Sequence, residues 1–136
     1  MRTIVAGTRL YGKQQKGESL NAYLDRIEYN RQEVYRVLDN EYWGSGITVV
    51  LSGLAKGPDT WGKQWSDQYG DVELQTYPPD WTRGKGAGFE RNQRMVDEAD
   101  KVIAFHDGFS KGTNHTVRIA KESNLAVIEF INLLKL

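Results

Sequence analysis

The residues of this chain best suited to chemistry are glycines that leave backbone amides bare, with hydroxyls, carboxyls and cations set close beside them. The segment SGLAKGPD puts Ser52, Gly53, Lys56 and Gly57 between a β-branched run and Asp59. Asp59 reads as a helix start, able to accept from free amides of the first turn. Those amides have no partner inside the helix, so a turn of this kind can cradle phosphate. The segment DGFSKGTNHT repeats the logic with Asp107, Gly108, Ser110 and Gly112 ahead of Thr113, His115 and Thr116. A third turn, GTRLYG, offers Gly7, Thr8 and Arg9. Any one glycine turn is equally what a tight strand-to-helix connection needs. A pair of them, flanked by Arg9, Lys56, Lys85, Arg91 and Lys111, points to an anionic guest. Neither GxGxxG nor the P-loop pattern occurs, so those two nucleotide-binding designs are not supported.

Other chemistries are thinly represented. There is no cysteine, which removes disulfides, thiolate metal sites and thiol nucleophiles. His106 ends an apolar run and His115 lies nine residues on without paired carboxylates, a spacing that fits no metal site, so no metal is expected. No cofactor is expected either. Trp61 and Trp65, four apart, belong on one buried helix face, and Trp43 packs locally. Trp81 follows Pro78 and Pro79 in a loop, where it either caps the core or stacks on a base.

These residues need a scaffold. The 136 residues suffice for one core, and 18 basic against 18 acidic side chains give no net charge to draw nucleic acid or a membrane surface. No apolar run is long enough to span a bilayer, and the first residues enter a strand directly, so a cytoplasmic protein is expected. Five short runs read as strands: Thr3 to Ala6, Thr48 to Leu51, Val72 to Tyr77, Val102 to Phe105 and Ala126 to Ile131. A helical stripe runs from Leu20 through Tyr23, Leu24, Ile27, Val34, Tyr35 and Leu38 to Tyr42, with Ser19 as cap and Gly44 as stop. Further helices are expected from Asp59 to Gly70, from about Gly88 to Ala99, and from about Thr113 to Ser123 with Asn124 as stop. The alternation predicts an α/β fold, a Rossmann-like three-layer sandwich on a mainly parallel five-stranded sheet. Its ligands bind beyond the carboxyl ends of the strands, where the glycine turns fall. The stretch from Tyr11 to Ser19 reads as a mobile loop at that edge. The tyrosine-rich face of the first helix, at Tyr23, Tyr35 and Tyr42, predicts self-association.

The strings SGLAKGPDTWGKQW, YPPDW, GFERNQRMVDEADKVIAF and DGFSKGTNHTVRIAKESNLAVIEF together resemble the SLOG superfamily, in particular its small stand-alone branch. The resemblance spans Thr3 to about Phe130, apart from the first helix and the loop before it. It implies a Rossmann-like fold, a ligand between the SG and GT loops, Arg91 and Asn92 facing that ligand, and an oligomer. Relatives in that superfamily include cytokinin-activating phosphoribohydrolases, DNA-processing protein A, and domains that sense nucleotide signals, so fold does not settle function.

Three functions follow in order. The first is a binding module that senses or sequesters a nucleotide-derived small molecule. The second is N-glycosidic hydrolysis of nucleoside monophosphates. The phosphoribohydrolases carry a glutamate three residues beyond the threonine of their GT pair. This chain has Thr116 there, leaving Asp107 or Glu90 as substitutes. The third is single-stranded DNA binding, with Trp61, Trp81, Phe109 and His115 as platforms, which zero net charge disfavours.

Overall fold

The computed structural model describes residues Met1–Leu136. Five strands, β1 (Arg2–Gly7), β2 (Val49–Ser52), β3 (Glu73–Thr76), β4 (Lys101–His106) and β5 (Ala126–Ile131), form one sheet in the order β3-β2-β1-β4-β5. Every pairing is parallel. Four helices link the strands: α1 (Leu20–Gly44), α2 (Pro58–Ser66), α3 (Ala87–Glu98) and α4 (Lys111–Glu122). The expected α/β sandwich is therefore present, with a sheet that is parallel throughout.

Strand period decides which helix each residue meets. Ile4, Ala6, Val49, Leu51, Val102 and Ala104 point to the face carrying Met95 and Val96 of α3 and Val117 and Ala120 of α4. Val5, Val50, Ile103 and Phe105 point to the face carrying Val34 and Leu38 of α1 and Trp61 and Trp65 of α2. Both faces are thus covered, which is why these strands read as continuous apolar runs. The chain builds outward from β1 to β2 and β3, then crosses to β4 on the other side of β1. The strand order reverses there, leaving a crevice between the carboxyl ends of β1 and β4.

The helix ends are partly those expected. The Ser19 hydroxyl accepts from the Ala22 amide at 3.1 Å and caps α1, and Asn124 takes the left-handed conformation just past α4. The stop of α1 is Gly46, at φ +77°, rather than Gly44. The segment from Tyr11 to Ser19 departs from its reading as a mobile loop. Arg26 of α1 donates to the carbonyls of Tyr11 and Lys13 and pairs with Glu18 at 2.8 Å, while Asn30 donates to Tyr11 at 3.2 Å. Glycine, lysine and glutamine composition said nothing of these bonds, which come from two buried polar residues of the helix facing it. Tyr23, Tyr35 and Tyr42 of α1 are half-buried within their own chain. Tyr23 donates to the Gly12 carbonyl, Arg31 lies over the Tyr35 ring, and Tyr42 stacks on Tyr69.

Candidate functional site

The crevice at the reversal point holds a cavity of about 470 Å³, within the usual range for small-molecule sites. It lies between the segment after β1 and the segment joining β4 to α4. Of the residues expected at a site, the fold brings Gly7, Thr8, Arg9, Asp59, Arg91, Asn92, Asp107, Ser110, Gly112, Thr113 and Thr116 to its walls. It does not bring Ser52, Gly53, Lys56, Gly57, Trp81 or His115 there.

The two glycine turns have different fates. Gly57 caps α2 at φ +83°, and a Cβ on Gly12 would lie 2.4 Å from the Gly57 nitrogen. The start of α2 is therefore covered by the chain's own turn Arg9–Gly12, and exposed Lys56 lies with Gly57 on that outer side. The start of α4 opens to the cavity. Its cap, Ser110, gives no side-chain bond to a helix amide, its hydroxyl donating instead to the Thr113 hydroxyl at 3.3 Å, so first-turn amides there have no side-chain partner. Asp107 shapes this turn by accepting from the amides of Phe109 at 2.9 Å and Ser110 at 3.1 Å and from the Thr8 hydroxyl at 3.3 Å. One helix start with free amides faces the cavity.

Arg91 is the other donor. Only 8 % exposed, it is fixed by three bonds, Nε to the Asn92 side-chain oxygen at 2.9 Å and Nη1 to the carbonyls of Gly53 at 2.8 Å and Tyr77 at 3.3 Å. Nη2 makes no bond within the chain. Gly53 matters here for what it lacks, since a Cβ on it would lie 2.5 Å from Nη1. Asn92 ties the assembly to α4 by donating to the Gly112 carbonyl at 3.3 Å and to Nδ1 of His115 at 3.2 Å. His115 stacks on Phe89 at 4.3 Å and holds Asn92 from behind. Its pKa is lowered by burial and by Arg118, keeping the ring neutral and Nδ1 able to accept.

Asp59 is not the expected helix cap. Gly57 occupies that position, and Asp59 instead accepts the Gly7 amide through Oδ1 at 3.2 Å. Ser52 serves the same corner, donating to the Asp59 carbonyl and accepting from Leu54. Burial pushes the Asp59 carboxyl up to about 7, against the opposing pull of Arg91, the Gly7 and Ala55 amides, and Arg9. Burial likewise lowers the Arg91 guanidinium, with Asp59 opposing. The lining thus carries three cations, Arg9, Lys13 and Arg91, against Asp107 and a half-ionised Asp59, a balance that favours an anion.

Leu10 and Lys13 line the cavity without having been expected there, as do buried Ala6 and Met95, and Phe109, expected only as a platform for the bases of single-stranded DNA, lines it too. Phe109, 87 % exposed, and Leu10, 45 % exposed, edge its mouth. The available signal was a large apolar residue inside each glycine turn, which has no core to join and so lies at the surface near whatever the turn holds. Trp81, 60 % exposed, instead lies over the start of α3, 3.6 Å from where a Gly88 Cβ would be.

No helix is long and apolar enough to cross a membrane. No family model matches the chain. Over 112 residues it is 36% identical to the Gene 61 protein of Mycobacterium phage D29, a match spanning 77% of this chain and 90% of that protein. With that identity across nearly the whole of the relative, the chain belongs to the family of the phage D29 Gene 61 protein.

Proposed function

We propose that the protein binds a phosphate-bearing nucleotide or nucleotide-derived signal in the β1/β4 crevice, and senses or sequesters it there. The observation that carries this reading is Arg91, a buried guanidinium with one nitrogen unpartnered, on the same cavity as the open start of α4. Burying a cation costs several kcal/mol, and an anion that bonds its free nitrogen offsets part of that cost. Phe109 at the mouth suits a flat base. The SLOG resemblance agrees with this reading, and a relative encoded by a phage suits sequestration of a host signal. Hydrolysis ranks second, because the two acids offered for it are engaged. Glu90 pairs with Arg83 at 2.9 Å, and Asp107 accepts three bonds through one oxygen. Single-stranded DNA binding is third, with Trp61 buried in the core and Trp81 outside the cavity.

Calorimetry against nucleoside monophosphates and diphosphates, cyclic dinucleotides and ADP-ribose tests the proposal. At least one is expected to bind, and Arg91→Ala is expected to weaken it about 10- to 100-fold, the loss of a bond to a charged group. No binder, or a binder indifferent to Arg91→Ala, refutes it.

A further inference from the structure

Asp59 and Arg91 form an unusual pair on the cavity wall. Both are more than nine-tenths buried, at 6 % and 8 % exposure. Both reach toward the bare backbone of Gly53, whose missing Cβ would lie 2.5 Å from Nη1 of Arg91 and 3.1 Å from Oδ2 of Asp59. Opposite charges so placed in a low-dielectric site ordinarily close into an ion pair, yet these do not. Arg91 spends Nη1 on carbonyls and Asp59 spends Oδ1 on the Gly7 amide. No ion pair joins them across the space over Gly53, and both residues line the cavity.

We infer that Asp59 is a contact of the anionic guest and engages it as a proton-carrying donor, so that the Asp59–Arg91 gap selects a guest presenting an ionised oxygen. The inference rests on the anion-binding reading above and deepens it. A carboxylate facing a phosphate oxygen repels it, whereas a neutral carboxyl donates to it and Arg91 donates from the other side. The charges that act on Asp59 are Arg91 from α3 and Arg9 from the segment after β1, while Lys13 and, just past β4, Asp107 line the same cavity. Desolvation outweighs the cations among them, and the carboxyl that results is half-protonated near neutrality. An anion arriving in the cavity adds one more negative charge and completes the protonation.

Binding of adenosine 5′-monophosphate and of inorganic sulfate, measured from pH 6 to pH 8 on wild type, Asp59→Asn and Asp59→Ala, tests the inference. Asparagine keeps a donor at every pH, so the ratio of wild-type to Asp59→Asn affinity is expected to fall about tenfold across that range. Alanine, with no donor, is expected to weaken binding at pH 6, where asparagine does not. On the unaltered protein, the midpoint of the Asp59 carboxyl ¹³C titration is expected to rise when sulfate is added. A wild-type to Asp59→Asn ratio that stays flat while the probes bind, or a ¹³C midpoint that stays or falls, overturns the inference and leaves the anion site standing. If neither probe binds any of the three proteins, this inference is overturned, and the anion-site reading then stands or falls on the wider calorimetric series.

Discussion

Replacing Asp59 by asparagine makes a stability prediction that needs no ligand. The carboxyl titrates near 3.8 when free and near 7 in the fold, where burial is the main cause. Between those values the native state binds more protons than the unfolded chain, so stability falls as pH rises. The contribution is fully present below 3.8 and is lost as pH climbs through 7. About three pH units at about 1.36 kcal/mol each give a loss of roughly 4 kcal/mol by pH 8, of which about 2.5 kcal/mol falls between pH 5 and pH 8. Asparagine has the same shape, can accept the Gly7 amide and carries no charge to desolvate. The stability of Asp59→Asn relative to wild type should therefore rise by about 2.5 kcal/mol over that interval, a large share of a typical folding free energy. Urea unfolding of both proteins at pH 5, 6, 7 and 8 measures it, and every other titrating group is common to the two and cancels. A difference that stays constant with pH, or that grows in favour of wild type, refutes the burial argument.

Two further substitutions test the geometry around the cavity. Gly53→Ala puts a methyl 2.5 Å from Nη1 of Arg91. It should cost about 1–3 kcal/mol of stability and at least tenfold in anion affinity, and calorimetry showing wild-type affinity would place the guest away from Arg91. Tyr11 is buried with its hydroxyl unpartnered. Removing an unsatisfied polar group in Tyr11→Phe should leave stability unchanged or raise it by about 1 kcal/mol in urea unfolding, whereas a loss of that size would show that the hydroxyl has a partner.

The architecture was legible because period and punctuation agreed along the chain. Runs such as Val102 to Phe105 are apolar throughout, and the structure covers both their faces. Ser19 and Asn124 end helices for local reasons that need no tertiary information. Where the third dimension decides, the sequence was mute. Gly57 and Gly112 look alike in sequence, yet Gly57 caps α2 and is covered by Gly12, distant in sequence, whereas Gly112 lies in the first turn of α4 on the cavity wall. Arg26 and Asn30 interrupt the apolar stripe of α1, and their use appears only once the Tyr11 carbonyl lies against them.

Asp59 shows most plainly how a local rule conceals a role. At a helix start an aspartate is a normal choice, because the first-turn amides and the dipole favour a negative charge. Here Gly57 caps the helix, the carboxyl turns toward Gly7, and burial raises the cost of its ionised form so far that the carboxyl is only half-ionised near neutral pH. The bond to Gly7 asks only for an oxygen, which asparagine supplies without the charge. An ionisable group held where its charge destabilises the fold, beside a guanidinium it does not pair with, is a local inconsistency of the kind that collects at functional sites. The structural role alone does not call for a carboxyl, and the remaining property that distinguishes aspartate from asparagine at this position is that it gains and loses a proton in the physiological range. That property has a use only if something in the cavity responds to it, which is why we propose that the open start of α4 and the Asp59 carboxyl are parts of one site.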